Sequence, residues 1–156
     1  MTISPYKGLM PYDEADASFF FGREAEKEII TANLLASRLT LLYGPSGVGK
    51  SSVLRAGIAH HLRELAQRNV VERGAPEFAV VVFSSWRDDP IAGLLASVHA
   101  AVDLTPQPPS LIGKGEKGDG FVDALRAITE RIDGDLFIIL DQFEEYFLYH
   151  PQEDGD

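Results

Sequence analysis

Three apolar runs stand out against an otherwise mixed chain: Leu39-Thr40-Leu41-Leu42-Tyr43, Phe78–Phe83 and Leu136-Phe137-Ile138-Ile139-Leu140. Short, near-continuous runs of this kind predict strands buried on both faces of a parallel sheet. The last is bounded by Asp133-Gly134-Asp135 and stopped by Asp141. Between the runs, apolar residues return at helical spacing. Ile30 and Leu34 share a face in a segment from Glu24 to about Ser37, whose early acids suit the positive end of a helix dipole. Leu54, Ile58, Leu62 and Leu65 predict a helix from Gly49 to about Gln67. Asp89-Pro90 reads as an N-cap followed by proline at the first helical position, opening a helix to about Val102. Phe121, Leu125, Ile128 and Ile132 mark a further helix, and Thr105–Gly120, rich in Pro and Gly, predicts a surface loop. Strands alternating with helices imply an α/β fold with a parallel sheet in three layers.

The loop after the first run carries the chemistry. Gly44-Pro45-Ser46-Gly47-Val48-Gly49-Lys50-Ser51 reads G-x-x-x-x-G-K-S, the Walker A phosphate loop, in the strand–loop–helix setting that the motif requires. Glycines let the backbone turn sharply and bring N–H groups near phosphate oxygens, and the start of the next helix adds to that anion site. Lys50 is expected at the β/γ-phosphates and the Ser51 hydroxyl at Mg²⁺. Asp141, at the carboxyl end of the third run, reads as a Walker B acid and a second magnesium ligand.

Composition narrows the partners. The chain has 156 residues, enough for one sizeable core, and a net charge of −10, which argues against non-specific nucleic-acid binding. No apolar run approaches a membrane span, and the first residues lack the basic-then-apolar pattern of a secretory signal, so a cytoplasmic location is expected. The absence of cysteine excludes disulfides and thiol catalysis. His60, His61, His99 and His150 have no metal-ligand spacing, and Trp86 reads as a packing anchor.

Beyond these motifs, the arm Pro5-Tyr6-Lys7-Gly8-Leu9, Asp16-Ala17 and Phe19-Phe20-Phe21-Gly22-Arg23-Glu24 resembles the entry segment of STAND NTPases, in particular the bacterial novel STAND NTPase domain. The resemblance extends to Gly44–Ser52 followed by Arg55-Ala56-Gly57, to Ser85-Trp86, and to Asp141-Gln142-Phe143-Glu144-Glu145. It implies an incomplete P-loop NTPase fold of the AAA+-like kind. Residues 1–38 would form an arm and helix over the nucleotide site, 39–150 a partial core holding the first three strands, and 151–156 a polar tail at a truncation point.

The implied activity is ATP (or GTP) binding with Mg²⁺ and slow hydrolysis, as a switch that couples nucleotide state to homo-oligomerisation and signalling. Sensor and effector domains would follow, and this segment alone would be inactive. By the same resemblance Phe21, Gly22 and Arg23 pass over the base, and Gly44 through Ser52 surround the phosphates. The wider superfamily often has Glu after the Walker B Asp, whereas Gln142 stands here. Gln can orient water but not accept its proton, which shifts the expected base to Glu144 or Glu145. An added-strand topology, with strand order 5-1-4-3-2, would pair the third strand with the second and leave the first without a direct partner. Two other readings stay open: a guanylate-kinase-like enzyme, whose phosphate loop has the same residues, and a nucleotide-binding scaffold with little hydrolysis.

Overall fold

A computed structural model describes residues 7–74, 77–102, 119–132 and 134–151. Most of the expected loop Thr105–Gly120, the first residues of the arm and the tail from 152 lie outside the described residues. The chain divides into two units, Met1–Arg68 and Asn69–Asp156.

In the first unit the arm forms a short 3-10 helix, Glu14–Phe19. Asp13 caps it, its side chain taking the Ala15 N–H at 3.0 Å while Asp16 reaches back to the Asp13 N–H at 2.9 Å. This reciprocal capping box satisfies donors that a helix start otherwise leaves open. Helix α1 (Glu24–Ala36) follows, with Glu24 and Glu26 in its first turn and Ile30 turned inward. The expected helix after the phosphate loop is present but not uniform. It begins as α2 (Lys50–Ser52), widens into a π-helical segment (Val53–Ala59), and continues as α3 (His60–Arg73). Ala56, Gly57, Ile58 and Ala59 are all buried, so the widened winding packs more than one narrow stripe. At Gly57 a Cβ would lie 3.4 Å from the Phe20 ring, which shows how closely the arm rests on this helix.

Leu39–Tyr43 departs from expectation. It is not a strand and carries no ladder among the described residues. Leu39, Leu41 and Tyr43 are 86%, 81% and 86% exposed. The alternation of these residues with better-covered Thr40 and Leu42 is a strand's period of two, with one face bare. Apolar content favours a strand, but backbone groups need a neighbour to complete one.

The second unit holds a two-stranded parallel sheet. Strand β1 (Phe78–Phe83) pairs with β2 (Asp135–Leu140) in the register Phe78↔Asp135 through Phe83↔Leu140. This is the expected pairing of the second and third apolar runs. At its start the Asp135 N–H donates to the Glu77 carbonyl at 3.0 Å. A Cβ on Gly134 would sit 2.4 Å from that same oxygen, so glycine is what lets the two strands begin this close together.

Helix α4 (Pro90–Ala101) starts as anticipated, with Asp89 accepting the Ala92 N–H at 3.0 Å and Pro90 at the first position. It packs near β1: a Cβ on Gly93 would meet the Phe83 ring at 3.2 Å. Helix α5 (Asp119–Ile132) precedes β2, and α6 (Glu144–Tyr149) follows it. Val81, Phe83, Trp86, Leu94, Val98 and Ile128 form the core between sheet and helices. Burying side chains of this size stabilises by about 1.5–3 kcal/mol each. The architecture is α/β with a short parallel sheet.

Candidate functional site

Each unit presents one part of the expected chemistry. In the first, the phosphate loop turns through two left-handed glycines, Gly47 at φ +81° and Gly49 at φ +85°. A Cβ at either would meet nothing within 4 Å, so there is space beside both backbones. Glycine is needed here for conformation, because φ in this range is costly for other residues. Gly49 is also the N-cap of α2, where unpaired backbone donors and the helix dipole favour an anion. Lys50 curls back over the loop, its Nζ donating to the carbonyls of Gly44 at 2.8 Å and Pro45 at 3.0 Å.

The arm reaches this loop. Arg23 donates through Nη2 to the Val48 carbonyl at 3.2 Å and through Nη1 to Glu26 at 3.0 Å. Gly22 takes φ +78°, and its N–H donates to Glu24 Oε1 at 3.2 Å. Phe21 is 74% exposed, while its neighbour Phe20 packs over Gly57 and against Tyr12 at 6.0 Å between ring centres. Ser51 is half-buried at the first turn of α2. Ser52 is buried, and its hydroxyl accepts the Tyr12 N–H at 3.1 Å. Ser46 and Pro45 are exposed at the loop's tip. A cavity of about 400 Å³ beside the arm is lined by Phe20, Arg23, Lys27, Gly57 and His60.

Ion pairs fasten the arm: Lys7 to buried Asp16, and Glu14 to Arg63 of α3. The Lys7 ammonium, helped by the Asp13 backbone N–H, holds the Asp16 carboxyl below the ordinary aspartate range. The Asp16 carboxylate in turn holds Lys7 above its usual value. A depressed carboxyl stabilises the fold above its unfolded pKa, about 3.9, and that contribution disappears as pH falls through the lower folded value. For the raised lysine, the contribution is complete below about 10.4 and disappears as pH rises through the folded value. Arm docking is therefore expected to hold through neutral pH and loosen first in acid. Hydrogen exchange at the Asp16 and Phe20 amides, corrected for intrinsic rates, should lose protection as pH falls below the ordinary aspartate value of about 3.9. Acid-independent protection in the wild type, or an unchanged profile in Lys7→Met, would contradict this linkage.

In the second unit Asp141 is 2% exposed at the end of β2. Its N–H donates to the Phe83 carbonyl at 2.9 Å, and its carbonyl accepts the Trp86 indole N–H at 2.8 Å. Trp86 is the anchor that its sequence position suggests: it is buried and packs edge-on against Phe83 at 4.9 Å and Phe143 at 5.1 Å. The His150 ring N–H donates to the Trp86 carbonyl at 2.7 Å, closing the end of α6 onto the same turn.

Gln142 has φ +55°, the only positive φ of a non-glycine residue among the described residues. A left-handed residue with a side chain costs of order 1 kcal/mol and is found where surroundings hold it in place. The surroundings here are local. The Glu145 N–H donates to the Gln142 carbonyl at 2.9 Å, and Gln142 Nε2 donates to Glu145 Oε1 at 3.1 Å. Glu144 is exposed. Glu145 is half-buried and lines a cavity of about 590 Å³ with Ser84, Ser85, Arg87, Asp89 and Tyr149.

A family model, Novel STAND NTPase 1, matches residues 5–155. The chain belongs to that family. No curated protein and no solved structure matches it. Membership in the Novel STAND NTPase 1 family carries, in general terms, the use of nucleotide and magnesium. It also gives the docked arm a context, since the match begins at residue 5 and takes in the arm together with the phosphate loop. No helix among the described residues is long and apolar enough to cross a membrane.

The sequence pattern did not mark Tyr12, Phe20 or Arg63 as arm anchors. A capping-box signal was present, with Asp13 three residues before Asp16.

Proposed function

We propose that this chain is the nucleotide-binding part of a STAND-type switch. It binds ATP, or GTP, with Mg²⁺, hydrolyses it slowly, and couples the bound state to self-association and signalling in the cytoplasm. The observation that carries this reading is the phosphate loop itself. Two left-handed glycines bracket an open backbone, and a lysine ammonium is held over it by the Gly44 and Pro45 carbonyls.

The residues fit a nucleoside triphosphate and its metal. The donor set of backbone amides, ammonium and guanidinium suits phosphate oxygens, and a serine hydroxyl with an aspartate suits a hard divalent cation. In this reading Gly44 through Ser52 surround the phosphates, Lys50 meets the β/γ-phosphates, and Ser51 and Asp141 hold Mg²⁺. Magnesium, when bound, neutralises phosphate charge as it develops. The bond from Arg23 to Val48 O supports a reading in which Phe21, Gly22 and Arg23 pass over the base. Further sensor and effector domains, and a second copy of the chain, are the proposed partners.

Equilibrium titration with ATP and GTP, with and without Mg²⁺, combined with light scattering, tests the proposal. Magnesium-dependent triphosphate binding that changes the association state is expected. Binding with no change in association would remove the switch and leave a scaffold. No binding of either nucleotide would remove the reading altogether.

A further inference from the structure

The Val48–Gly49 peptide of the phosphate loop is free, by its own chemistry, to face either of two ways. Gly49 stands at φ +85°, and a glycine takes positive and negative φ about equally well. A half-turn of that peptide plane shifts the compensating change onto ψ of Val48, where helical and extended values are both allowed. The local sequence therefore leaves the orientation open. A trans peptide points its carbonyl and its N–H in opposite directions, so whatever holds the Val48 oxygen also aims the Gly49 N–H. Arg23 holds it. Its Nη2 donates to the Val48 carbonyl at 3.2 Å, from 25 residues earlier in the chain and within the same unit.

Arg23 is itself held in place. It is the N-cap of α1, and the Gly22 turn before it is closed by the bond from the Gly22 N–H to Glu24. Glu26 accepts Nη1 at 3.0 Å, so one prong of the planar fork rests on α1 and the other on the loop. That pairing offsets the guanidinium charge, so Arg23 brings the loop direction more than charge. At 43% and 46% exposure the Arg23–Glu26 pair adds little to stability. Orientation is its larger effect.

We propose that Arg23 is a positioning residue for phosphate binding: by holding the Val48 carbonyl toward the arm, it turns the Gly49 N–H toward the phosphates. The inference rests on the phosphate-loop reading given above and assigns the Arg23 side chain to the loop instead of the base. It makes the arm part of the phosphate site without touching the ligand. The linkage runs both ways. A phosphate drawn to the Gly49 N–H favours the orientation in which Val48 O meets Arg23, so ligand and arm tighten each other.

Inorganic tripolyphosphate with Mg²⁺ is the probe, because it carries the phosphates and no base. In titration calorimetry on the full chain, Arg23→Ala should weaken tripolyphosphate and ATP by the same factor, about 10-fold, the scale of one hydrogen bond to a charged group. Its melting curve should stay close to the wild type, since an exposed pair is lost. Arg23→Lys keeps a donor but not the fork, and should recover part of the affinity. Glycine-selective amide spectra, recorded before any phosphate is added, should show the Gly49 signal displaced in Arg23→Ala and the Gly134 signal unmoved.

A loss confined to ATP would mean that Arg23 touches the base, and would overturn the assignment. So would wild-type tripolyphosphate affinity in Arg23→Ala. An unmoved Gly49 signal would overturn it as well, and the spectrum decides by itself where tripolyphosphate binds too weakly to titrate. A wild type that binds neither tripolyphosphate nor ATP would remove the phosphate-loop reading first, and this role with it.

Discussion

Lys50→Ala should weaken triphosphate binding by about 100-fold while leaving the fold in place. The ammonium bonds its own loop, through the Gly44 and Pro45 carbonyls, and among the described residues no core side chain is bonded to it. Those two bonds are to neutral acceptors at an exposed loop, so their loss leaves carbonyls that water can satisfy. Charge-assisted bonds to phosphate, by contrast, are worth about 1.5–3 kcal/mol, up to two decades in affinity. The magnitude should also depend on the ligand. Diphosphate lacks the γ-group, so its binding should fall less than that of triphosphate. Titration calorimetry with both nucleotides, alongside a melting curve, reads the two effects separately. Unchanged triphosphate affinity in a folded variant would show that this loop is not the phosphate site.

Trp86→Ala is expected to produce the largest loss of stability in the second unit, about 3–5 kcal/mol, as large-to-small core changes at aromatic positions do. The ring is 4% exposed and contacts Phe83, Phe143 and Tyr146, so its removal leaves a cavity between the strand ends and α6. Its indole N–H also donates to the Asp141 carbonyl, a bond that a smaller apolar residue removes. Trp86→Phe separates the two terms: most packing survives, and the lost bond should cost about 1–3 kcal/mol. Denaturant unfolding gives both numbers. A Phe variant as unstable as the Ala variant would mean that the hydrogen bond, not the ring, holds this turn; an Ala variant within 1 kcal/mol of wild type would mean that the site can collapse around the gap.

Much of this arrangement is legible in the chain, and the part that is not has a common cause. β1 and β2 are readable because all six residues of the first and the last five of the second carry the same apolar signal, and Asp89-Pro90 announces α4 because a cap and a pre-set φ are local properties. The phosphate loop was readable because its spacing encodes backbone conformation, as the two left-handed glycines show. Leu39–Tyr43 has the same apolar signal as the strands, yet a strand is completed by its neighbour, which no local pattern records. Three adjacent phenylalanines look alike in sequence; contact alone separates Phe20, packed on Gly57, from Phe21 in solvent. The pairing of Gln142 with Glu145 was hidden for a similar reason. Positive φ at a glutamine runs against its propensity, so only the folded turn reveals it.

The π-helical segment has a consequence for how the arm and the phosphate-loop helix change together over evolutionary time. Each residue of an α-helix turns the chain by about 100°, so wider winding from Val53 to Ala59 sets the rotational phase of all that follows. Deleting a single residue there would return the segment to plain α-helical winding without touching the glycines or Lys50. Six residues at α-helical winding turn the chain about as far as the seven of the wider segment, so Arg63 would keep its face toward Glu14, and the change would be confined to the bulged backbone under Phe20. A one-codon deletion between Val53 and Ala59 is thus expected to spare both the arm contacts and the phosphate loop, whereas the same deletion in the plain helix before Arg63 would turn every later residue by about 100°.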